Sequence, residues 1–193
     1  MARTKEFDPD VAVATAIEVF WDRGYAGTSM QDLVDELGLN RGSIYGTFGS
    51  KHDLFVQALT EYCKRAPQAL LDALEIDGPL LPRPRGALIG LIDADLADPD
   101  RKGCLLVNSA METLPADRDT AALYDRTART LRTAFEAAVR RAQLEGELPR
   151  SLNPVDAASF LLTTLQGLRV TAKATGDRQP LVASVDFALR ALH

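Results

Sequence analysis

Histidine, cysteine and tryptophan are scarce in this 193-residue chain, which holds two, two and one of them. Neither His52 nor His193 sits near a nucleophile pattern, and HExxH, CxxC, Walker-type and GxGxxG sequences are all missing. The enzyme classes built on those motifs therefore find no site here. The chain is expected not to be an enzyme and to need no metal and no cofactor. Cys63 and Cys104 do not make a disulfide framework at this length, which suits a reducing compartment. No run approaches the roughly 18 apolar residues of a membrane span. Met1 to Asp10 is polar and charged, without the apolar centre of a secretory signal. The expected location is the cytoplasm. Also missing are an alternating strand pattern, an internal repeat and a low-complexity tract.

What is present is ordinary globular composition, 46% apolar and 25% charged. The net charge of -5 argues against a non-specific nucleic-acid coat protein, but not against a DNA reader with locally placed basic groups. Helical periodicity dominates. Val13, Ile17 and Phe20 place a helix over 10–23, started at Asp8-Pro9 and stopped by Gly24. Met30, Leu33, Val34 and Leu37 define a short second helix that Gly38 ends. Asn40 then caps a third helix carrying Ile44 and Phe48. Ser50 and Asp53 form a capping-box pattern that opens a fourth helix, running through Leu54, Ala58, Leu59 and beyond. Three prolines and two glycines make 77–86 the clearest boundary. Helical patterns follow near 87–97, 104–114, 117–145, 154–174 and 181–192. The expected architecture is all-α with about nine helices. It divides into a head, 1–51, and a larger body, 52–193.

Residues 29–48 read as a helix-turn-helix, in which one short helix holds a second at a steep angle suited to the DNA major groove. Leu33, Val34, Leu37, Leu39, Ile44 and Phe48 face inward. Arg41, Gly42, Ser43, Tyr45, Gly46 and Thr47 face outward, a surface of small and polar groups without a carboxylate. Asn40 and the free N–H groups behind it suit a phosphate oxygen. On pattern alone, a purely structural helix-turn-helix inside a larger helical protein is an equal alternative. Residues 1–51 hold five basic and eight acidic side chains. Glu18, Asp22, Asp35 and Glu36 must therefore face away from any bound DNA. Arg3 and Lys5 offer either a groove-reaching arm or a plain basic tail.

The wording of Thr28 to Phe55, TSMQDLVDELGLNRGSIYGTFGSKHDLF, closely resembles the signature of the TetR family of repressors. Gly24-Tyr25, Thr28-Ser29, Leu37-Gly38-Leu39, Gly42-Ser43-Ile44-Tyr45, Phe48 and Ser50-Lys51 before Leu54-Phe55 carry the likeness. It implies a ligand-released repressor acting as a homodimer on a palindromic double-stranded operator. It also implies residue roles. Tyr45, Thr47 and Lys51 would contact phosphates, helped by Thr28, Ser29 and Asn40. Gln31, Arg41, Gly42, Ser43 and Gly46 would face base edges, with Arg41 able to pair bidentately with guanine. Gly46 departs from the pattern, because many relatives carry a bulky aromatic or histidine there.

In the body, two apolar stripes are candidates for either a dimer interface or internal core. The first is Ala158, Leu161, Leu162, Leu165, Leu168 and Ala172. The second is Leu181, Val185, Ala188, Leu189 and Leu192. The resemblance favours the interface, through pairing of the last two helices over 154–192, where Gly167 would allow close approach. It also places a pocket for an unknown small-molecule effector among the central helices. Candidate lining residues are Tyr62, Cys104, Leu106, Asn108, Met111, Glu112, Tyr124, Phe135, Phe160, Thr164 and Gln166. Buried polar groups such as Asn108, Glu112 and Gln166 need partners that a ligand can supply. Cys104, after Gly103 at a helix start, is either a buried structural thiol or an oxidant sensor. The fourth helix is the expected sole link from head to body.

Overall fold

The computed structural model of the chain describes residues 7–75 and 82–193. Among these residues there are ten α-helices and no strand. The head is built from α1 (Pro9–Gly27), α2 (Met30–Leu37) and α3 (Arg41–Phe48), followed by α4 (Lys51–Arg65). The body continues with α5 (Gln68–Glu75), α6 (Pro82–Ala97), α7 (Leu105–Thr113) and α8 (Arg118–Leu144). It ends with α9 (Pro154–Thr175) and α10 (Arg178–Arg190). Side-chain caps set most of the starts. Asp8, Ser29, Asn40, Ser50, Asp117, Asn153 and Asp177 each accept from a backbone N–H of the following first turn.

Several boundaries shift by a few residues, α1 running past the Gly24 kink to Gly27 and α10 starting at Arg178, and two differ more. The long fourth helix is split after Arg65 and resumes at Gln68, which raises the helix number to ten. Pro67 sits in the gap, and a proline has no N–H to continue the ladder. Conversely, α6 begins at Pro82, inside the expected 77–86 break. Pro82 and Pro84 occupy its first turn, where a missing N–H costs nothing. The remainder of that break, 77–81, lies outside the described residues, as do Arg3 and Lys5.

Two apolar cores organise the chain. The first gathers Phe20, Leu33, Ile44, Phe48, Leu54 and Phe55 of the head. It runs past residue 51 through Ala58, Leu59 and Tyr62 to Leu105, Leu106 and Leu123 of the body. Phe20 and Phe55 meet edge to face at 5.2 Å, and Tyr25 lies 4.8 Å from Phe55. The second core joins α5, α6, α8, α9 and α10 around Ile92, Phe135, Val139 and Leu165.

That second core settles what the two apolar stripes do within one chain. Ala158, Leu161, Leu162, Leu165, Leu168 and Ala172 are all buried against the chain's own helices, as are Leu181, Val185, Ala188, Leu189 and Leu192. They are internal core, not a surface left for a second copy. The large apolar residues that α9 and α10 do expose are Val155, Phe160, Val170 and Phe187, the last at 67%. No helix among the described residues is long and apolar enough to cross a membrane.

Candidate nucleic-acid interface and effector cavity

The helix-turn-helix is assembled as its sequence dictates. Ser29 and Asp32 form a reciprocal capping box at the start of α2. Gly38 closes α2 with φ +63°, a left-handed conformation that suits glycine. Asn40 Oδ1 accepts from Ser43 N–H at 2.8 Å and starts α3. Ile44 and Phe48 anchor α3 inward, while Arg41, Gly42, Tyr45 and Gly46 are exposed and Ser43 and Thr47 half-buried. Nothing lies within 4 Å of where a Cβ on Gly46 would be, so its small size serves no internal packing.

The other expected contacts stand differently. Thr28 is 1% exposed and its hydroxyl donates to Gly24 O at 2.6 Å. Its expected phosphate contact is corrected on that ground, since it fixes the α1–α2 turn. Lys51 Nζ donates to Tyr25 O and Thr28 O, both at 2.8 Å, and sits 4.2 Å from the centre of the Tyr25 ring. Of the three ammonium N–H groups, one is left for a phosphate. Gln31 donates to Asp35 Oδ1 at 2.8 Å, so the two share a face. Gln31 toward the bases and Asp35 away from them therefore cannot both hold without this bond breaking. Three other acidic groups are paired: Arg23 holds Asp32 and Glu36 at 2.7 Å each, and Lys102 holds Glu18 at 3.2 Å.

Head and body are joined by more than α4, which corrects the expectation of a sole link. Glu112 at the end of α7 accepts from the backbone N–H of Tyr25 at 2.9 Å and of Ala26 at 2.6 Å. Gly24 makes room for it with φ +73°: a Cβ there would sit 2.8 Å from Glu112 Oε2. His52 in the first turn of α4 meets Asp117, the N-cap of α8, at 2.8 Å, with Asp119 at 4.0 Å. Burial raises the Asp117 pKa, but hydrogen bonds from Thr120 N–H and His52 outweigh it and hold the carboxyl below its ordinary value. Trp21 Nε1 donates to Gly103 O at 3.2 Å just before α7.

Between α4, α7, α8 and α9 lies a cavity of about 60 Å3. Of the expected lining residues, Tyr62, Cys104, Leu106, Tyr124 and Gln166 line it. Asn108 does not: its Nδ2 donates to Lys102 O at 2.7 Å and orders the α6–α7 loop. Glu112 is engaged with the head, and Met111 is 72% exposed. Phe135 is 1% exposed within the body core, Phe160 stands on the outer surface at 42%, and Thr164 is not in the wall.

Sequence reasoning missed Arg169. It falls in step with Leu162 and Leu165 on the buried stripe of α9, and Asp95 falls in step with Leu88 and Ile92 on α6. A charge on each of two apolar stripes was the available signal of a buried pair. Arg169 Nε and Nη2 grip the Asp95 carboxylate at 2.9 and 2.6 Å, and Nη2 also reaches Gly103 O at 3.2 Å. Burial works against the Arg169 charge, yet the Asp95 bonds prevail and hold the guanidinium above its ordinary value. Tyr62 hydroxyl accepts from Leu105 N–H at 3.3 Å and donates to Cys104 Sγ at 3.7 Å. Burial pushes the Tyr62 hydroxyl well up, and the Cys63 thiol up to about 11.

A capped, carboxylate-free α3 on a small helical head, joined to a helical body with a cavity, defines a DNA-binding regulator. The chain belongs to the TetR family of bacterial regulatory proteins, whose N-terminal model matches residues 12–58, and a tetracyclin repressor-like C-terminal domain model matches 87–187. It is 38% identical over 194 residues to the HTH-type transcriptional regulator YezE of Bacillus subtilis, covering 100% of both chains. It is 27% identical to the HTH-type transcriptional repressor ComR of Escherichia coli, over 97% of this chain and 90% of that one. Among solved structures, the TetR-family regulator CifR, carrying cysteine substitutions, is 31% identical with a TM-score of 0.83, covering 99% of this chain and 100% of that one. That protein was solved with 26bp double-strand operator DNA. This chain is accordingly a DNA-binding transcriptional regulator.

Proposed function

We propose that the chain is a ligand-released repressor that binds a palindromic operator as a homodimer. One observation carries the reading: the nine-residue helix α7 touches both working parts. Cys104, Leu106 and Val107 at its start line the cavity, and Glu112 at its end holds the α1–α2 turn of the head. A ligand that reshapes the cavity wall moves the element that positions the reading head. The coupling is a difference in ligand affinity between DNA-bound and free conformations, typically about 1–3 kcal/mol, and operator DNA weakens the ligand by the same factor.

On the operator, Arg41, Gly42, Ser43 and Gly46 face base edges, with Gln31 joining them only if it leaves Asp35. Tyr45, Thr47, Ser29, Asn40 and the remaining Lys51 N–H contact phosphates. The two copies pair through the outward face of α9 and α10, where Phe160, Val170 and Phe187 are exposed. Gly167 lies on that side with nothing near its Cβ position. Half-sites then repeat at about one helical turn, roughly 34–36 Å, or a multiple of it.

The test is selection of bound genomic fragments, followed by titration of one such operator with compounds suggested by the neighbouring genes. Loss of binding on adding a compound supports release. Unchanged affinity with every compound, and in both thiol redox states, ends this reading. A second trigger has one observation behind it: Cys104 lines the same cavity, so its modification would act on the same wall.

A further inference from the structure

The cavity walls carry an imbalance of hydrogen-bonding capacity. Its polar lining comes from Tyr62, Tyr124, Thr127, Gln166, Arg169 and the thiols of Cys63 and Cys104, and among the described residues no carboxylate lines it. A cationic ligand would therefore enter without a counter-charge, at a large desolvation cost. The one cation among the described lining residues, Arg169, is already neutralised by two bonds to the Asp95 carboxylate behind it. An anionic ligand would add an uncompensated charge to a neutral pair.

What remains is donor capacity. Arg169 uses Nε and Nη2, and its Nη1 has no partner among the described residues. Tyr62 oxygen already accepts from Leu105 N–H, so its proton is what it has left to give. That proton points at a thiol 3.7 Å away, a long and weak acceptor. The carboxylate and carbonyl acceptors nearby are engaged: Asp95 by Arg169, Gly103 O by Trp21 and Arg169, and Gln166 Oε1 by Tyr124 at 3.0 Å, which leaves, among the described residues, only the weaker hydroxyl oxygens of Tyr124 and Thr127. The rest of the wall is apolar, from Leu70, Leu91, Leu131, Leu162 and Leu165. The enclosed space, about 60 Å3 against the roughly 150 Å3 of a cavity that accepts a benzene ring, is small enough that even a compact ligand must push the wall outward.

Resting on the reading of this cavity as the effector site, we infer that the effector is a compact, uncharged molecule with a carbonyl-type oxygen. The oxygen accepts from Tyr62 and Arg169, and the apolar remainder lies among the leucines. Binding is non-covalent and leaves both cysteines unchanged.

Four probes of similar size separate the possibilities on the full chain by saturation-transfer NMR: 2-butanone, its hydrocarbon isostere 2-methyl-1-butene, propionate and sec-butylammonium. The expected order puts 2-butanone first. Tyr62→Phe should weaken 2-butanone roughly 3- to 10-fold, the worth of one hydrogen bond, and leave 2-methyl-1-butene unchanged. Should Tyr62→Phe not fold, Arg169→Lys serves instead, keeping a positive charge against Asp95 while removing the fork of donors. Equal or tighter binding of the hydrocarbon, propionate or the ammonium overturns the inference. So does 2-butanone binding that neither variant alters, because it lies elsewhere. Binding of 2-butanone in the cavity with the operator complex unaffected keeps this inference and counts against ligand release. Operator release by other compounds, without discrimination among the four probes, does the reverse.

Discussion

Glu112 holds Tyr25 across the joint between body and head: its carboxylate takes the Tyr25 backbone N–H at 2.9 Å and the next one, of Ala26, at 2.6 Å. The two amides are orphan donors at the end of α1's regular turn, where Gly24 leaves helical geometry. Glu112→Ala should lower stability by about 1 kcal/mol, because the site is exposed and water replaces part of the bond. In a chain of this size that is a fall of roughly 2–4 °C in Tm. The more telling outcome is functional: operator binding persists while effector-driven release weakens. Unaltered release in Glu112→Ala, measured by fluorescence anisotropy, removes α7 from the transmission path.

Leu165 and Phe187 should respond oppositely to a charged substitution. Leu165 is buried in the chain's own core, so Leu165→Asp strands an unpaired carboxylate and should unfold the protein. Phe187 is 67% exposed, so Phe187→Asp leaves the fold intact and breaks only pairing between copies. Sedimentation and circular dichroism together decide it. A folded, dimeric Phe187→Asp protein would exclude this face as the interface.

Arg41→Ala should cost about 1–3 kcal/mol of operator affinity and relax selectivity at one position in each half-site, the loss of one bidentate base contact. Lys51→Ala has a mixed expectation. It should reduce the salt dependence by about one phosphate. It should also destabilise the head, since two carbonyls at 2.8 Å lose their donor. Salt-titrated binding isotherms beside thermal melts separate the two effects.

Asp117 ties stability to acid. Its carboxyl titrates below the ordinary value in the folded chain, its Thr120 and His52 hydrogen bonds outweighing burial. A depressed folded pKa contributes stability that is present above the unfolded value and lost as pH falls through the folded one. The loss therefore lies in the acid range, below about pH 4. Asp117→Asn should flatten the stability profile there while lowering stability at neutral pH. Parallel acid denaturation curves for parent and variant would refute this.

The head was legible because its information is local. Caps at Ser29, Asn40 and Ser50, the Gly38 stop and the apolar spacing of Leu33, Ile44 and Phe48 each act within one or two turns. The body was less so. The stripes of α9 and α10 show that a face is buried but not by what, and the burial is internal. Glu112 reads like a pocket residue from its neighbours in sequence, yet its partners Tyr25 and Ala26 lie 87 and 86 positions away. Pairing at that separation leaves no periodic trace. Arg169 and Asp95 did leave one, as charges in step with leucines, but each stripe alone gives no partner.

Cys104→Ser decides between the two triggers. If a ligand in the cavity releases the operator, a serine hydroxyl in place of the thiol keeps the wall nearly the same size. It also gives Tyr62 a better acceptor than the sulfur now 3.7 Å away. Release by an effector should then persist in the variant, with affinity changed only a few-fold, about what one hydrogen bond is worth. If oxidation of the thiol is the trigger, the variant binds operator normally and stops responding, while oxidant releases the parent protein. Cys63→Ser is the control. Burial raises the Cys63 thiol to about 11, so it stays protonated near neutral pH and reacts slowly. A variant carrying both substitutions that still releases operator on adding effector would exclude thiol chemistry as the trigger. One that binds operator and ignores every effector, beside an oxidant-sensitive parent, would exclude the ligand.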